Sequence, residues 1–428
     1  MSRPRKALQL DLATARSIAL RASTGLPSRY RAGTEGAVDA IESIGFVQID
    51  TISVVERAHH HILWSRVPGY ERGMVAALEG NPRRVLEYWA HAACYVPMRD
   101  YRFCLPRMER VREHGHDWYR CDDSTVAFVR DRIAAEGPHE AKDFEDTGTG
   151  KREWWDRKPA KQALEYLHQA GELVTVTRTG FRKLYDLASR HIDASIDARA
   201  PTEAEMGDWY VRSASRAYGI FARDEVAYQR KELLGGIDAA LQLLVESGDL
   251  VRAEVDGLPG RPYWVDAALL GRAAKAVAAD PTRSAPRLYI LSPFDPFLII
   301  RKRFERLFGV RYTIECYLPE AKRSFGYFAL PLLFAEHAGA RFAGLMDAKA
   351  DRKNKVLVVN RLSLERPDAA GDALARKAAL GALLDAAADA IASYARFNGA
   401  ESVSFGLVEA PGGAAFAKRL RTAVGQSL

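Results

Sequence analysis

The 428-residue chain has only four cysteines, Cys94, Cys104, Cys121 and Cys316, and no two of them form a C-x-x-C pair. That spacing argues against a zinc finger or a thioredoxin-like centre. So few cysteines over this length point to free thiols in a reducing compartment rather than to a disulfide framework. No uncharged apolar run is long enough to span a bilayer, and the opening MSRPRKALQL has no apolar stretch after its basic residues. Neither a spanning helix nor a secretory leader is therefore expected. Charge of one sign is lacking too: 62 Lys and Arg stand against 55 Asp and Glu, a formal net charge of +7. Such a balance permits a polyanionic partner without requiring one. What is present, 48% hydrophobic and 27% charged residues, is globular composition. The expectation is a cytoplasmic protein of two to four domains with no membrane association.

The most informative feature is an internal repeat. From Lys158 the chain reads KPAKQALEYLHQAGELVTVTRTGFRKLYDL, and from Gly236 it reads GIDAALQLLVESGDLVRAEVDGLPGRPYWVD. Ala160, Ala163, Leu164 and Leu167 have the i, i+3, i+4, i+7 spacing of a helix face, and Ile237, Ala240, Leu241 and Leu244 repeat it. Gly171 and Gly248 follow as helix ends, Leu173 and Leu250 open strands, and Gly180 and Gly257 turn the chain toward Tyr185 and Tyr263. Helix, glycine, strand, turn, strand is the second half of a winged helix. Helical patterns at 124–135 and 139–146, and at 203–214 and 222–233, would supply the first halves. Winged helices serve mostly to bind DNA, although some are protein docking modules. A weaker third copy is expected near the N-terminus, where Ala37, Ala40, Ile41 and Ile44 precede Gly45 and the strand-like FVQID, with another helix over 11–22. From Arg287 strand-like runs take over: RLYIL, RYTIECYL, FGYFALPLLF, RFAGLMDA and KVLVVNRLSLE. They predict an antiparallel sheet or barrel, followed by a long helix at 369–396, a strand at 401–408 and a short terminal helix.

Gln48-Ile49-Asp50 is the first constellation able to carry chemistry. On a strand, residues i and i+2 share a face, with alpha carbons about 6–7 Å apart. Gln48 and Asp50 would project together while Ile49 turns into the core. A carboxylate beside an amide can hold one water and stabilise a cationic sugar; a solvated or capping pair is the plainer reading. Ser53 to Glu56 has the form of a capping box for the next helix. His59, His60 and His61 diverge by ~100° per residue on a helix, so three in a row make a poor metal site. One or two of them, His59 and His60 first, would rather face a polyanion, with Arg57 and Arg66 flanking them and keeping the stretch basic. Ser292-Pro293-Phe294-Asp295-Pro296 reads as an N-cap with Pro at N1, opening the helix FLIIRKRFERLFG, with Arg301, Lys302, Arg303 and Arg306 along it. Lys322 and Arg323, then Arg352, Lys353 and Lys355, are expected at hairpin tips, where they suit phosphate contact. Trp154 and Trp155 precede the first repeated helix; core packing explains them more simply than base stacking.

Taken together, GFVQIDTISVVERAHHHILWSR (residues 45–66) and LSPFDPFLIIRKRFERLFGVRYTIECYLPEAKRSFGYFALPLL (residues 291–333) resemble the signature segments of the YcaQ/AlkZ family of winged-helix DNA glycosylases. The resemblance covers nearly the whole chain. It implies an α+β fold with three tandem winged-helix modules in a C-shaped arrangement and a C-terminal β-rich, barrel-like domain. The modules would span 1–120, 121–200 and 201–285, and the last domain 286–428. The implied reaction is hydrolysis of the N-glycosidic bond of N7-alkylated guanine, interstrand crosslinks included, with Gln48 and Asp50 catalytic. Arg57, His59, His60, Lys322, Arg323, Arg352 and Lys353 are the expected DNA contacts. No cofactor and no metal are expected, and the partner would be damaged double-stranded DNA, bound by a monomer associated with the nucleoid. One branch of the family carries Gln-x-Gln; this chain has Gln-x-Asp, as the YcaQ branch does. A non-catalytic winged-helix regulator is the rival reading, and a metal-dependent nuclease using the histidines is a second.

Overall fold

A computed structural model describes residues 7–24, 30–80, 82–116, 118–119, 121–144, 159–229, 231–278, 285–336, 339–367 and 372–428. The chain opens with β1 (Leu8–Leu10) and α1 (Leu12–Thr24). Asp11 caps α1, its Oδ1 accepting the Thr14 amide at 2.7 Å. α2 (Gly33–Ile44) buries Ala37, Ala40, Ile41 and Ile44, the face its spacing predicts. Gly45 ends it at φ +82°, a conformation glycine adopts without strain, and donates to Ile41 O at 2.8 Å. The run FVQID is a strand only over β2 (Val47–Gln48). α3 (Ala58–Trp64), α4 (Gly73–Glu79), β3 (Val85–Trp89) and β4 (Ala93–Pro97) follow, and the strands lie in the order β2-β4-β3. The expected capping box does not form. Arg57 occupies the N-cap of α3 without a side-chain bond to the helix, and Glu56 lies before the helix, accepting from the Arg57 amide and from Arg72.

After α5 (Leu105–His114), the two repeated units have the same order of parts. The first is α6 (Asp123–Glu136), β5 (His139–Glu140), α7 (Pro159–Gln169), β6 (Leu173–Thr179) and β7 (Arg182–Leu187). The second is α8 (Glu203–Tyr218), β8 (Ile220–Phe221), α9 (Arg223–Val226), α10 (Leu234–Ser247), β9 (Leu250–Val255) and β10 (Tyr263–Asp266), leading into α11 (Ala267–Ala278). In each, a two-residue strand pairs with the returning strand of the hairpin, β5 with β7 and β8 with β10. The predicted middle helices are largely lost. His139–Asp143 is a strand and a single 3-10 turn, and the described residues of 222–233 hold only the four residues of α9 and another 3-10 turn. Trp154 and Trp155 lie outside the described residues. β1 departs from its sequence neighbours and pairs parallel with β9, Leu8 opposite Ala253.

The last span contains β11 (Arg287–Ile290), α12 (Pro296–Ile299), α13 (Arg301–Phe308), β12 (Ala329–Glu336), β13 (Gly339–Asp351), β14 (Val356–Leu364), α14 (Ala373–Phe397), β15 (Ser402–Glu409) and α15 (Gly413–Ser427). Its strands run β11-β12-β13-β14-β15, antiparallel except for β15, which is parallel to β14. Among the described residues the sheet has two ends, β11 and β15, and does not close into a barrel. RYTIECYL is not a strand but part of a loop. Glu315 explains why: its carboxylate accepts the amides of Ser324, Phe325 and Gly326 at 2.9, 2.8 and 3.1 Å, which folds the loop back on itself. Burial raises the Glu315 pKa, but these donors outweigh it and hold the group at about 2. The single predicted helix after Pro296 is broken at Ile300, whose ψ of 81° is not helical. By length and composition α14 could cross a membrane, yet Leu383, Leu384, Ile391 and Tyr394 are buried in the main core.

The cores cut across the contiguous spans. Ile41, Ile62 and Leu63 share one core with Leu330, Leu357 and Ile391, joining the first span to the last. Ile18 and Leu20 of α1 pack with Val255 and Tyr263 and with Phe297 and Phe304. Each repeated unit also keeps its own core, around Val129, Leu164 and Leu173 in one and Val211, Ile237 and Leu241 in the other. The junction of first and last spans is pinned by a buried ion pair between residues 45–66 and 291–333. Arg66 reaches Asp295 through two bonds of 2.7 and 2.8 Å, both side chains fully buried. Asp295 also caps α12, as predicted, by accepting the Phe297 amide at 2.9 Å. The cations of α13 are mostly committed inside. Arg303 is buried and donates to the carbonyls of Tyr218 and Ile220, Arg306 pairs with Glu225, and Arg301 donates to Pro293 O.

Candidate active site

Three segments meet at Asp50. β2 carries Gln48 in, and one further ladder bond, from Ile49 N to Ala93 O at 2.8 Å, keeps the chain aligned just past the strand. Asp50 then turns the backbone, its Oδ1 accepting the Ile52 amide at 2.7 Å, a local bond typical of Asp in turns. Its Oδ2 accepts from Gln48 Nε2 at 3.2 Å. The pair therefore meets, as alternation predicts, although Asp50 stands beyond the strand. Ile49 packs against the main core. The other end of the Gln48 amide, Oε1, lies 2.9 Å from His91 Nε2. Gln48 is 7% exposed, and the polar line His91–Gln48–Asp50 ends at the half-buried carboxylate.

A cleft of about 160 Å³ opens over Asp50. It is walled by Trp89 of β3, by His168 of α7, and by Arg178, Phe181 and Lys183 of the β6–β7 hairpin, so the first repeated unit forms one side. Arg57 ties that side down, donating to Gly180 O at 3.1 Å and stacking on the exposed Phe181 ring at 4.2 Å. Beneath them Glu87, 1% exposed, accepts two 2.6 Å bonds from Arg178 and lies 3.1 Å from Lys183. Burial would lower the Lys183 pKa, but the Glu87 and Glu165 carboxylates outweigh it and keep the ammonium charged. The lysine in the cleft is therefore not a free amine. A larger, more open hollow lined by His114, Tyr119 and Tyr166 does not include Asp50.

The Glu87 cluster yields a prediction. Burial raises the Glu87 pKa, but Lys183 and Arg178 overcompensate and bring it from the ordinary 4.5 to about 2. A depressed carboxylate contributes stability that is present above pH ~4.5 and lost as the pH falls toward ~2, here about 3 kcal/mol. Denaturant titrations between pH 6 and 3 are expected to show this acid slope, and Glu87→Gln to flatten it while lowering stability at neutral pH. An unchanged slope in Glu87→Gln would remove the cluster from the acid response.

Other residues singled out in the sequence have mixed placements. His59 is 4% exposed, and His60 bonds Tyr70 through Nδ1 at 2.8 Å. His61 is fully buried between Ile290 O, at 2.9 Å, and the Tyr394 hydroxyl, at 3.1 Å. Burial lowers all three pKa values, those of His60 and His61 to about 4. Neutral imidazoles pack and hydrogen-bond rather than pair with charge; His59 and His61 are buried, and His60 is partly exposed. Among the described residues no three His, Cys, Asp or Glu side chains gather as metal ligands. Lys322 lies in a 3-10 turn of the Glu315-anchored loop, not at a hairpin tip, and Arg323 there donates to Leu318 O and stacks on Tyr327. Arg352 and Lys353 do occupy a hairpin tip, between β13 and β14. Arg352 is spent on the carbonyls of Ser53 and Val55, which holds this tip against the segment after Asp50; Lys353 is exposed.

Two site residues went unnoticed in the sequence. His91 sits in the β3–β4 turn, and only the β2–β4 pairing, Gln48 opposite Cys94, brings it to Gln48. Tyr317, 70% exposed, is close enough for the Asp50 charge, after burial, to raise its phenol pKa.

The solved structure of Streptomyces sahachiroi DNA glycosylase AlkZ resembles this one with a TM-score of 0.56, over 94% of this chain and 100% of that one. Sequence identity is 13%, so this likeness speaks for a common fold alone. The family model of AlkZ-like DNA glycosylases matches residues 41–397, a span that holds Gln48, Asp50 and the cleft over them, and the protein belongs to that family.

Proposed function

We propose that this glycosylase hydrolyses the N-glycosidic bond of N7-alkylated guanine, interstrand crosslinks included, with Gln48 and Asp50 as its catalytic pair. The observation that carries the reading is the half-buried Asp50 carboxylate in a cleft, braced by the Ile52 amide and by Gln48. An N7-alkylguanine is cationic and leaves as a neutral base, so no general acid is required. What remains is to stabilise an oxocarbenium-like sugar and to place a water, and a fixed carboxylate beside an amide does both. Lys183, held as an ammonium between two carboxylates, is no imine-forming nucleophile, which favours simple hydrolysis without lyase action. The Gln-x-Asp pattern supports a YcaQ-like rather than a Gln-x-Gln reading.

In this reading the repeated units are winged helices, with a third, modified one around α1 and α2, set in a C-shaped arrangement. The wing at Gly180–Phe181 is used as a wall of the site. An open cleft suits a base still tied to the opposite strand better than a deep flipping pocket. Arg57, Lys322, Arg323, Arg352 and Lys353 face DNA, and the protein acts as a cytoplasmic, nucleoid-associated monomer without cofactor or metal.

The test is base release from an N7-methylguanine duplex and from a nitrogen-mustard crosslink, before and after exhaustive chelation. Release in both conditions is expected. Binding without release would favour the regulator, and a loss restored by zinc or manganese would favour metal chemistry. Lys322 and Lys353 are exposed cations of the two basic turns, whereas Arg323 braces its own loop, Arg352 ties its tip to Ser53 and Val55, and Lys355 pairs with Glu401. Lys322→Ala with Lys353→Ala is therefore expected to make the slope of log K against log salt shallower by up to about two, at about 0.9 per phosphate contact. An unchanged slope would place both turns off the DNA.

A further inference from the structure

The side-chain amide of Gln48 can face Asp50 with either end, and only one end is useful. With Nε2 toward Asp50 Oδ2, as found at 3.2 Å, a donor meets a carboxylate. Reversed, a carbonyl oxygen would oppose that carboxylate and would compete with it for the proton of any water held between them. Whatever lies at the far end of the amide therefore bears on its orientation. That group is His91, whose Nε2 is 2.9 Å from Gln48 Oε1. A carbonyl oxygen only accepts, so His91 must carry its proton on Nε2. The turn that presents it is short, closed by Ala90 N to Ala92 O at 3.0 Å, and its ring rests on Phe46 with centroids 5.0 Å apart. The donor is thus held by the β3–β4 turn and by Phe46, the residue just before β2.

We infer that His91 is the positioning residue of this site, donating from Nε2 to fix the Gln48 amide so that its N–H groups face Asp50 and the water that attacks the sugar. The inference rests on the proposed catalytic role of Gln48 and Asp50. Its consequence is a rate effect without a binding effect, because His91 touches the catalytic amide rather than the DNA.

Two substitutions separate this role from packing. His91→Phe keeps a ring against Phe46 and removes the donor. His91→Gln places an N–H close to the position of Nε2. Single-turnover base release at saturating protein is expected to fall about 10-fold in His91→Phe, the upper range for a lost neutral hydrogen bond. The Kd for damaged duplex should not move, and His91→Gln should recover most of the rate. In a Gln48→Ala background His91→Phe should cost nothing further, since there is no amide left to orient. Full activity of His91→Phe, an equal loss in His91→Gln, or an additive loss in the Gln48→Ala background would each overturn the positioning role. The underlying reading is checked separately by Asp50→Asn. If that variant releases base normally the catalytic pair fails, whereas a dead Asp50→Asn beside a fully active His91→Phe rejects the role of His91 alone.

Discussion

Asp50→Asn is expected to lower single-turnover base release by ~100-fold or more while leaving the affinity for damaged DNA in place. Removing one preorganised electrostatic group from a site where charge develops typically costs that much. The substitution keeps the size of the side chain, and Asn Oδ1 can still accept the Ile52 amide that shapes the turn. What it loses is the negative charge facing the nascent sugar cation. It also sets an Nδ2 donor against Gln48 Nε2, where Oδ2 now accepts at 3.2 Å. Gln48→Ala should be the milder of the two, because it removes the brace and leaves the charge. Base release and a binding titration on the same substrate decide the matter. Near-normal release by Asp50→Asn would end the catalytic assignment, and a parallel loss of binding would recast Asp50 as a structural residue.

Asp295→Asn is expected to destabilise the protein by about 3–5 kcal/mol, the usual cost of leaving a buried charge without its partner. Arg66 and Asp295 are fully buried and joined by two bonds, and Arg66 is further tied to Ser23 O at 2.9 Å. Asn can still cap α12 through Oδ1, so the loss isolates the charge pair from the cap. Because the pair joins the N-terminal helices to the C-terminal sheet, the effect should appear as a lower denaturant midpoint of the main transition. The double substitution Arg66→Met with Asp295→Leu removes both charges and is expected to be less destabilising than Asp295→Asn alone, although the α12 cap goes with it. A midpoint unchanged by Asp295→Asn would mean that water or rearrangement compensates the arginine.

The two predictions concern residues of equal prominence in the sequence and opposite roles in the structure. GFVQIDTISVVERAHHHILWSR and LSPFDPFLIIRKRFERLFG are both unusual strings, and each mixes site and scaffold. In the first, Asp50 lines the cleft with Gln48 buried behind it, while His61 and Arg66 are buried in the scaffold. In the second, Asp295 and Arg303 are buried as well. A charged residue in a sequence reads as surface, because burial of an unpaired charge is prohibitive. Arg303 escapes that rule only because Glu225 and two carbonyls, remote along the chain, come to it. The three histidines escape it by giving up their protons.

What the sequence determined by itself was whatever depends on neighbours within a few turns. The helix faces of α2, α7 and α10, the glycine that ends α2, the cap at Asp295 and the meeting of Gln48 with Asp50 all follow from local spacing, and all are present. Membership of the family was legible too, because long, odd strings are more specific than any single motif. Only the tertiary structure decided the rest. It moved β1 to β9, folded RYTIECYL into a loop through Glu315, brought His91 to Gln48 and set the hairpin of the first repeated unit against Arg57. Three of these rest on bonds between residues far apart in the chain, and the Glu315 loop on bonds to residues 9 to 11 positions away. Local propensity and periodicity carry no information about such partners; only packing and the need to satisfy buried polar groups select them.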